Sequence, residues 1–179
     1  YRYGRWCWEP WGVTWVSYDP WGWAPFHYGR WIFSAGFGWG WCPMPYFAPA
    51  WVSWWCDGGG WLGWCPMGYY GAPLWGPGGW WSCGVGDIYA YNLGNHLVHH
   101  RTSPPPNPIY PRAPGAPGVE NPRGGPRGGG TSINLPPATV RGFREGRVTP
   151  AVLGNTLREP IRSDRRGYPS VQPSTVDRS

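Results

Sequence analysis

Five cysteines are the residues of this chain whose chemistry depends most directly on spacing. They stand at Cys7, Cys42, Cys56, Cys65 and Cys83. No two of them form a Cys-x-x-Cys pair and none begins a haem-attachment motif, so the usual zinc and haem spacings are absent. The residues alone therefore leave two readings open, disulfides and buried free thiols.

Three of the four histidines fall close together in the chain. If this stretch is helical, His96 lies near both His99 and His100, a spacing that can hold a metal ion. No carboxylate or cysteine stands next to them, and the stretch joins two regions of different composition. We therefore expect a polar hinge here, with no metal and no cofactor.

Carboxylates and nucleophile motifs give little support for catalysis. The acids before residue 100 are scattered, at Glu9, Asp19, Asp57 and Asp87. Glu9 and Asp19 could in principle flank a sugar, as paired carboxylates do in glycosidases. The sequence has no Gly-x-Ser-x-Gly, phosphate loop or dinucleotide fingerprint. We expect a protein that is not an enzyme.

Composition divides the chain into two regions. All 17 Trp lie between Trp6 and Trp81, whereas 12 of the 15 Arg lie after residue 100 and supply most of the net charge of +6. The 30 Gly and 24 Pro among 179 residues are typical of fibrous or low-complexity chains, but such chains are rarely 18% aromatic. We predict an aromatic module over residues 1–95 and a basic Pro/Gly/Arg-rich tail over residues 96–179. The tail has too few apolar residues for a core, so we expect order there only on a partner.

Repeated motifs indicate the architecture of the first region. Tyr3-Gly4-Arg5-Trp6 recurs 25 residues later, and the string GWCPM at residues 40–44 recurs 23 residues later. Apolar residues alternate within these units, as they do in strands, and Gly- and Pro-containing turns separate them. We predict an all-β fold, a meander of about six to eight short antiparallel strands built on Trp-rich repeats. The tail that follows should be extended, with little regular secondary structure.

The core of this module should be aromatic because Leu and Ile are few. Each Trp can bury roughly 150–250 Å² of surface. The indoles that we assign to the core are those of Trp6, Trp8, Trp15, Trp31, Trp39, Trp41 and Trp64. Any Trp or Tyr face left exposed could stack on sugar rings, which makes glycan or peptidoglycan binding the alternative function.

Arginines make the tail a candidate partner-binding segment. They are Arg123, Arg127, Arg141, Arg144, Arg147, Arg158 and Arg162. Guanidinium groups bind carboxylates of other protein subunits, or anionic envelope polysaccharide. Two Arg-Gly-Gly units without neighbouring aromatic residues argue against a nucleic-acid partner. Residues 133–162 could add to a sheet edge as a strand.

Three strings carry a resemblance to a known family. They are YGRWCWEPWGVTWVSYDPWGWAPFHYGRW, FAPAWVSWW and GGGWLGWCPM, all within residues 1–75. They resemble a Trp-rich family of unknown function in bacterial envelope proteins, whose hallmarks are the strings YGRW and WTWVSYEPWGWAP. In that family the region often follows a FecR-type domain and precedes a Pro-rich tail. The cysteines of this chain depart from the family pattern.

The resemblance implies an extracytoplasmic location: periplasm, outer-membrane surface or extracellular space. Such a setting favours disulfides. Cys42 and Cys65 share a repeat position and could meet, whereas a four-residue Asp57–Gly60 loop would place Cys56 opposite Trp61 rather than Cys65. Because the chain opens at Tyr1 inside a repeat motif, we expect a longer precursor.

These observations lead to one functional prediction. We expect a non-enzymatic structural or assembly protein of the bacterial cell envelope, with the aromatic module as scaffold and the tail attached to neighbouring subunits. No run of about 18 apolar residues occurs, so we expect no membrane-spanning helix.

Overall fold

The structure, a computed structural model, describes residues 1–45, 47–69, 71–76, 78–105, 109 and 132–159. Short antiparallel strands dominate these residues, as predicted. The strands are β1 (Gly4–Glu9), β2 (Gly12–Ser17), β3 (Gly29–Ser34), β4 (Gly38–Pro43), β5 (Val52–Cys56), β6 (Trp61–Pro66), β7 (Trp80–Gly84) and β8 (Val98–His100). The helices are α1 (Trp23–His27), α2 (Pro137–Arg144) and α3 (Pro150–Arg158), with 3₁₀ turns at Val85–Asp87 and Leu93–His96.

The strands form three small sheets. Strands β1 and β2 pair as one hairpin, β3 and β4 as a second, and β5-β6-β7-β8 as a four-stranded sheet in chain order. Every pairing among them is antiparallel. The predicted all-β meander is confirmed.

Each of the first three hairpins sets one tryptophan directly opposite another. The pairs are Trp6 with Trp15, Trp31 with Trp41, and Trp54 with Trp64. Cross-strand aromatic pairs of this kind stabilise a sheet because neighbouring side chains on one face are in contact. Both copies of the YGRW motif begin a strand, β1 and β3, at the glycine of the motif.

The turn between β5 and β6 is one residue longer than predicted. Cys56 lies opposite Leu62, not Trp61, and Cys65 lies opposite Ser53. The Asp57 N–H donates to the Trp61 carbonyl at 3.1 Å, and Gly60 adopts a φ of 85° that favours glycine. The loop between the paired residues Cys56 and Leu62 therefore includes Trp61, which also begins β6 by pairing with Gly84 on β7. Cys56 and Cys65 are not opposite each other, as expected.

The core is built around four fully buried indoles, those of Trp6, Trp15, Trp54 and Trp64. Trp6 contacts the other three rings, with centroid separations of 5.0 Å, 4.5 Å and 5.4 Å in that order. Their mutual angles of 48° to 85° are tilted or edge-to-face, the arrangement that aromatic pairs prefer. The first hairpin thus packs on the core-facing side of the four-stranded sheet.

Residues 132–159 complete this core from far along the chain. Ile133, Leu135, Leu153 and Leu157 are 0% exposed and belong to the same cluster as the four indoles. In α3 the two leucines are four residues apart and so share one face. Thr149 caps this helix by accepting a hydrogen bond from the Val152 N–H, and Pro150 starts it.

This packing differs from the behaviour expected of the tail. Residues 132–159 form two helices against the module of the same chain, whereas we expected order only on a partner and strand addition over residues 133–162. The difference arises because the few apolar residues here recur at helical spacing, which the Arg- and Gly-rich composition obscures. Residues 106–108, 110–131 and 160–179 lie outside the described residues, and the division into 1–95 and 96–179 stays a prediction.

Candidate functional site

The face of the four-stranded sheet that points away from the core carries a groove of about 360 Å³. Its floor follows one row of register partners across all four strands: Trp55, Gly63, Ser82 and Val98. Successive strands lie about 4.8 Å apart, so this row spans about 14 Å. The groove is long and open rather than a closed cavity.

Gly63 makes room for an indole in the middle of the floor. The Trp80 indole lies across it, since a Cβ at position 63 would stand 2.6 Å from Trp80 Cζ3. Any side chain at position 63 would displace this ring. A glycine inside a strand often marks such a close approach by another group.

Aromatic rings form the walls of the groove. Two of them, Trp55 and Trp80, form hydrogen bonds with the chain that follows β8. Trp55 and Trp80 have ring centroids 5.9 Å apart, and Trp80 stacks on His100 at 3.9 Å with a 13° interplanar angle. Trp55 Nε1 donates to the Pro105 carbonyl at 2.7 Å, and Trp80 Nε1 donates to the Thr102 carbonyl at 3.1 Å. Both indoles are therefore fixed in orientation before any ligand arrives.

Trp61 differs from these rings because it is 45% exposed. It lines the groove at the start of β6, beside the turn that begins at Asp57. Asp57 Oδ1 accepts hydrogen bonds from the N–H groups of Gly59 and Trp61, at 2.9 Å and 2.8 Å. These bonds fix the carboxylate at the rim, while its Oδ2 atom takes no part in them.

Ser82 and His100 place a polar pair within the groove. Ser82 Oγ lies 2.8 Å from His100 Nε2. Burial lowers the pKa of His100 and the neighbouring His99 lowers it further, so the ring is neutral at pH 7. Among the nine lining residues, only Asp57 and His100 are ionisable, and none is Arg or Lys. The groove is thus aromatic, with one negative charge at its rim.

A second cavity, of about 320 Å³, lies between the sheets. Its lining is almost wholly apolar and includes Tyr1, Phe26, Trp31, Trp39 and Trp81. The Tyr1 hydroxyl is already engaged as a donor to the Phe26 carbonyl at 3.2 Å. This cavity continues the aromatic core and offers few groups that could orient a ligand.

The indoles that we assigned to the core divide into three groups. Trp6, Trp15 and Trp64 are fully buried, and Trp8 and Trp31 are half-buried against the cluster. Trp39 and Trp41 are instead 40% and 37% exposed. They lie on β4, whose hairpin with β3 forms a sheet of its own, and within the described part of the chain no further strand pairs with it.

The five cysteines are free thiols in the structure, so the disulfides that we predicted are not seen in it. Cys56 and Cys83 both lie opposite Leu62, on the two strands that flank β6. Two strand spacings separate them, about 9.6 Å, which exceeds the Cα separation that a disulfide allows. Burial raises the pKa of Cys65 and of Cys83 to about 12, so both are protonated thiols at neutral pH.

Four of the tail arginines that we singled out lie among the described residues, and all four are exposed: Arg141, Arg144, Arg147 and Arg158. Arg144 donates to the Gly86 carbonyl, and Arg147 pairs with Glu145. Arg144 thus helps attach α2 to the 3₁₀ turn that follows β7. Arg123, Arg127 and Arg162 lie outside the described residues.

The histidine cluster is split by the structure. His99 stacks on Trp81 at 4.2 Å, whereas His100 stacks on Trp80 on the opposite face of the sheet. His96 ends a 3₁₀ turn and lies 3.6 Å from Asp87. The three rings therefore do not converge on one point, and His100 alone joins the groove.

Sequence reasoning missed the groove residues as a set. Alternation in Trp61-Leu62-Gly63 and Trp80-Trp81-Ser82 does place Trp61 with Gly63, and Trp80 with Ser82, on common faces. Bringing the two pairs together requires the β6–β7 register, and residues 67–79 separate those strands. That register was the missing information.

Among the described residues, no helix is long and apolar enough to span a membrane. Comparisons with the curated proteins and with the solved structures found no significant match. Residues 1–71 match the family model described as "Family of unknown function (DUF6600)". This part contains β1 to β6 and ends before β7, β8 and the two later helices. Over its N-terminal 71 residues, the chain is thus similar to an uncharacterised family.

Proposed function

We propose that this protein is a non-enzymatic structural or assembly protein of the bacterial cell envelope, in which the β module is a scaffold and the C-terminal segment connects subunits. The observation that carries the proposal is the docking of residues 132–159. These residues place four fully buried aliphatic side chains in the core of a module that begins more than 100 residues earlier. A segment this distant in the sequence thus supplies part of the core of the module.

Backbone contacts at the edge of β2 support this proposal. The Val13 N–H donates to the Ile133 carbonyl at 3.4 Å, and the Ser132 hydroxyl donates to the Val13 carbonyl at 3.2 Å. An uncovered strand edge is a site where another chain can pair. Here a distant segment covers it, and Tyr89 fixes that segment by donating its hydroxyl hydrogen bond to the Leu135 carbonyl.

The length of the connection permits the same docking between two copies. The Ile109 N–H donates to the Trp54 carbonyl at 2.6 Å. The next described residue after Ile109 is Ser132. A connection of this many residues can bridge at most about 80 Å. One copy can therefore offer its segment to the module of another with identical contacts, which is the principle of domain swapping.

An association experiment tests this proposal. A chain that ends at residue 109 serves as the acceptor, and a tagged full-length chain is the donor. We expect the full-length protein to form particles heavier than its 20.1 kDa monomer and to retain the acceptor in a pull-down. The Leu153→Ala/Leu157→Ala donor should lose the acceptor, whereas a Val152→Ala donor should keep it. A full-length protein that stays monomeric at all concentrations and retains no acceptor would overturn the proposal.

The envelope location is part of the proposal and has its own test. It is supported by the resemblance of residues 1–75 to Trp-rich envelope proteins. Fractionation of cells that express the full gene should recover the protein with periplasmic or outer-membrane markers. Recovery with cytoplasmic markers alone would contradict this location.

A further inference from the structure

We infer that the groove on the outer face of the four-stranded sheet binds an uncharged saccharide chain of pyranose rings. This inference goes beyond the assembly role and does not depend on it. The groove lies on the opposite face of the sheet from the core that residues 132–159 complete. A ligand in it and a docked segment can therefore be present together.

The lining chemistry matches the two kinds of surface that a pyranose ring presents. The faces of such a ring are made of C–H groups and stack on indoles, and its hydroxyls point outward from its rim. The half-exposed Trp61 ring offers a face at the groove mouth. Asp57, Ser82 and His100 supply a carboxylate, a hydroxyl and a neutral imidazole within the same groove. Ser82 and His100 already bond to each other, so the group that a ligand hydroxyl would meet first is the exposed Asp57 carboxylate at the rim.

Charge selects an uncharged sugar over an acidic one. Among the described residues that line the groove, the one fixed charge is the Asp57 carboxylate, and none of them is Arg or Lys. A uronate or phosphate group would meet the like charge of Asp57 with no cation among the lining residues to pair with it, because the nearby Arg158 lies outside the lining. A neutral hydroxyl can instead donate to the carboxylate oxygen that the Gly59 and Trp61 bonds leave available.

Size and rigidity fit a short oligosaccharide. The volume of about 360 Å³ lies in the range of small-molecule sites. The four-strand row measures about 14 Å, and the Trp80 indole covers its middle over Gly63, so the space open to a sugar is the part beside Trp61 and Val98. Because the Trp55 and Trp80 rings are already fixed by bonds to Pro105 and Thr102, binding would cost little ordering of side chains.

The test uses the full-length protein and three soluble probes. Two are uncharged, the β-1,4-linked tetramers of N-acetylglucosamine and of glucose, and the third is the anionic tetramer of galacturonic acid. Binding is followed by calorimetry and by NMR of the indole N–H signals. We expect saturable binding of at least one uncharged tetramer, at least tenfold tighter than that of galacturonate.

Two substitutions connect this binding to the groove. Trp61→Ala should weaken binding of the uncharged tetramer at least tenfold. Its matched control is Trp23→Ala, since Trp23 is 47% exposed and does not line the groove, and this variant should bind normally. Asp57→Asn retains an Oδ1 acceptor for the turn and removes the charge, so it should improve galacturonate binding relative to the wild type.

Three results would overturn the inference. One is the absence of any shift with both uncharged tetramers at about 10 mM, a concentration that would saturate even a millimolar site. Another is a Trp61→Ala variant that keeps its indole spectrum otherwise unchanged and binds as tightly as the wild type. The last is preferred binding of galacturonate by the wild type. None of these results bears on the association experiment, so the two ideas can fail separately.

Discussion

The indole of Trp41 lies across Gly29 on the neighbouring strand, so close that a Cβ at position 29 would overlap its Nε1 atom. Trp15 and Gly4 have the same relationship, and so have Trp80 and Gly63. In each case the tryptophan stands two residues before the register partner of the glycine. The glycine of the YGRW motif therefore leaves room for an indole from the neighbouring strand to pack flat against the backbone.

Replacing Gly29 with Ala should destabilise the protein by about 2–3 kcal/mol, because the new methyl group meets a ring and the Cys42 carbonyl, which is backbone and cannot move aside. Gly36 in the same hairpin is the control, since a Cβ there would have Ser34 Oγ as its nearest neighbour at 3.9 Å. Gly36→Ala should change stability by less than about 0.5 kcal/mol. Urea unfolding of both variants measures the difference, and equal costs would contradict it.

Replacing Leu153 with Ala should cost about 2–5 kcal/mol of global stability, because it leaves a cavity at a side chain that is 0% exposed. The adjacent Val152 is 51% exposed, and Val152→Ala should be nearly neutral. Thermal and urea unfolding of both variants tests whether α3 belongs to the core. If the two substitutions had the same small effect, α3 would not be docked in solution.

Stability should fall below pH 6.5 because of His27. Burial lowers the pKa of this ring from its usual 6.5 to about 4, although the Ala48 carbonyl that accepts its Nδ1 hydrogen bond partly offsets the shift. The unfolded chain takes up the proton first as pH falls through 6.5. The free energy of unfolding should therefore decrease between pH 6.5 and pH 4, by up to about 3 kcal/mol, with no contribution from His27 above that window.

The control for this pH dependence is His27→Gln, which removes the titrating group. Urea unfolding at several pH values between 4 and 8 gives the slope for each protein. The variant should lose most of the decrease seen in the wild type. An identical slope in both proteins would assign the effect to other groups.

Thiol reactivity should separate the cysteines into two classes. Cys65 and Cys83 are 0% exposed and have raised pKa values, so both should resist a thiol reagent in the folded protein. Cys7, Cys42 and Cys56 are half-buried and should react in the folded protein, more slowly at Cys7 and Cys56, where burial raises the pKa of the thiol. After unfolding without reductant, all five thiols should react. A lower count in protein isolated from an oxidising compartment would instead reveal the disulfides that the resemblance favours.

Local sequence patterns predicted the hairpins, but they did not predict how the hairpins pack together into a core. Alternation of apolar residues identified Trp6 and Trp8 with one face of β1, and the turn residues separated the strands. Exposure was harder to predict. Trp15 and Trp41 each face a tryptophan across a hairpin, yet one is buried and the other is 37% exposed. Their difference depends on which hairpin packs against the four-stranded sheet, a long-range fact that short motifs do not contain.

The C-terminal docking was hidden for a different reason. Leu153 and Leu157 are two leucines in a region dominated by Arg, Gly and Pro. A region of this composition has too few apolar residues to bury enough surface and fold alone. That argument is valid for an isolated segment. It does not apply when a large aromatic core already exists for the segment to join. The groove was missed similarly, because Trp61 and Trp80 meet through the β6–β7 register.

A core that includes both Trp6 and Leu157 has a consequence for biosynthesis. A ribosome adds about 5–20 residues per second, so the first of these residues waits on the order of 10–30 s for the last. During that interval the indoles of the first hairpins lack part of their cover and are open to chaperones or to neighbouring nascent chains. The chain therefore finishes its core only near the end of the described sequence, and its first partner during synthesis need not be its own C-terminal segment.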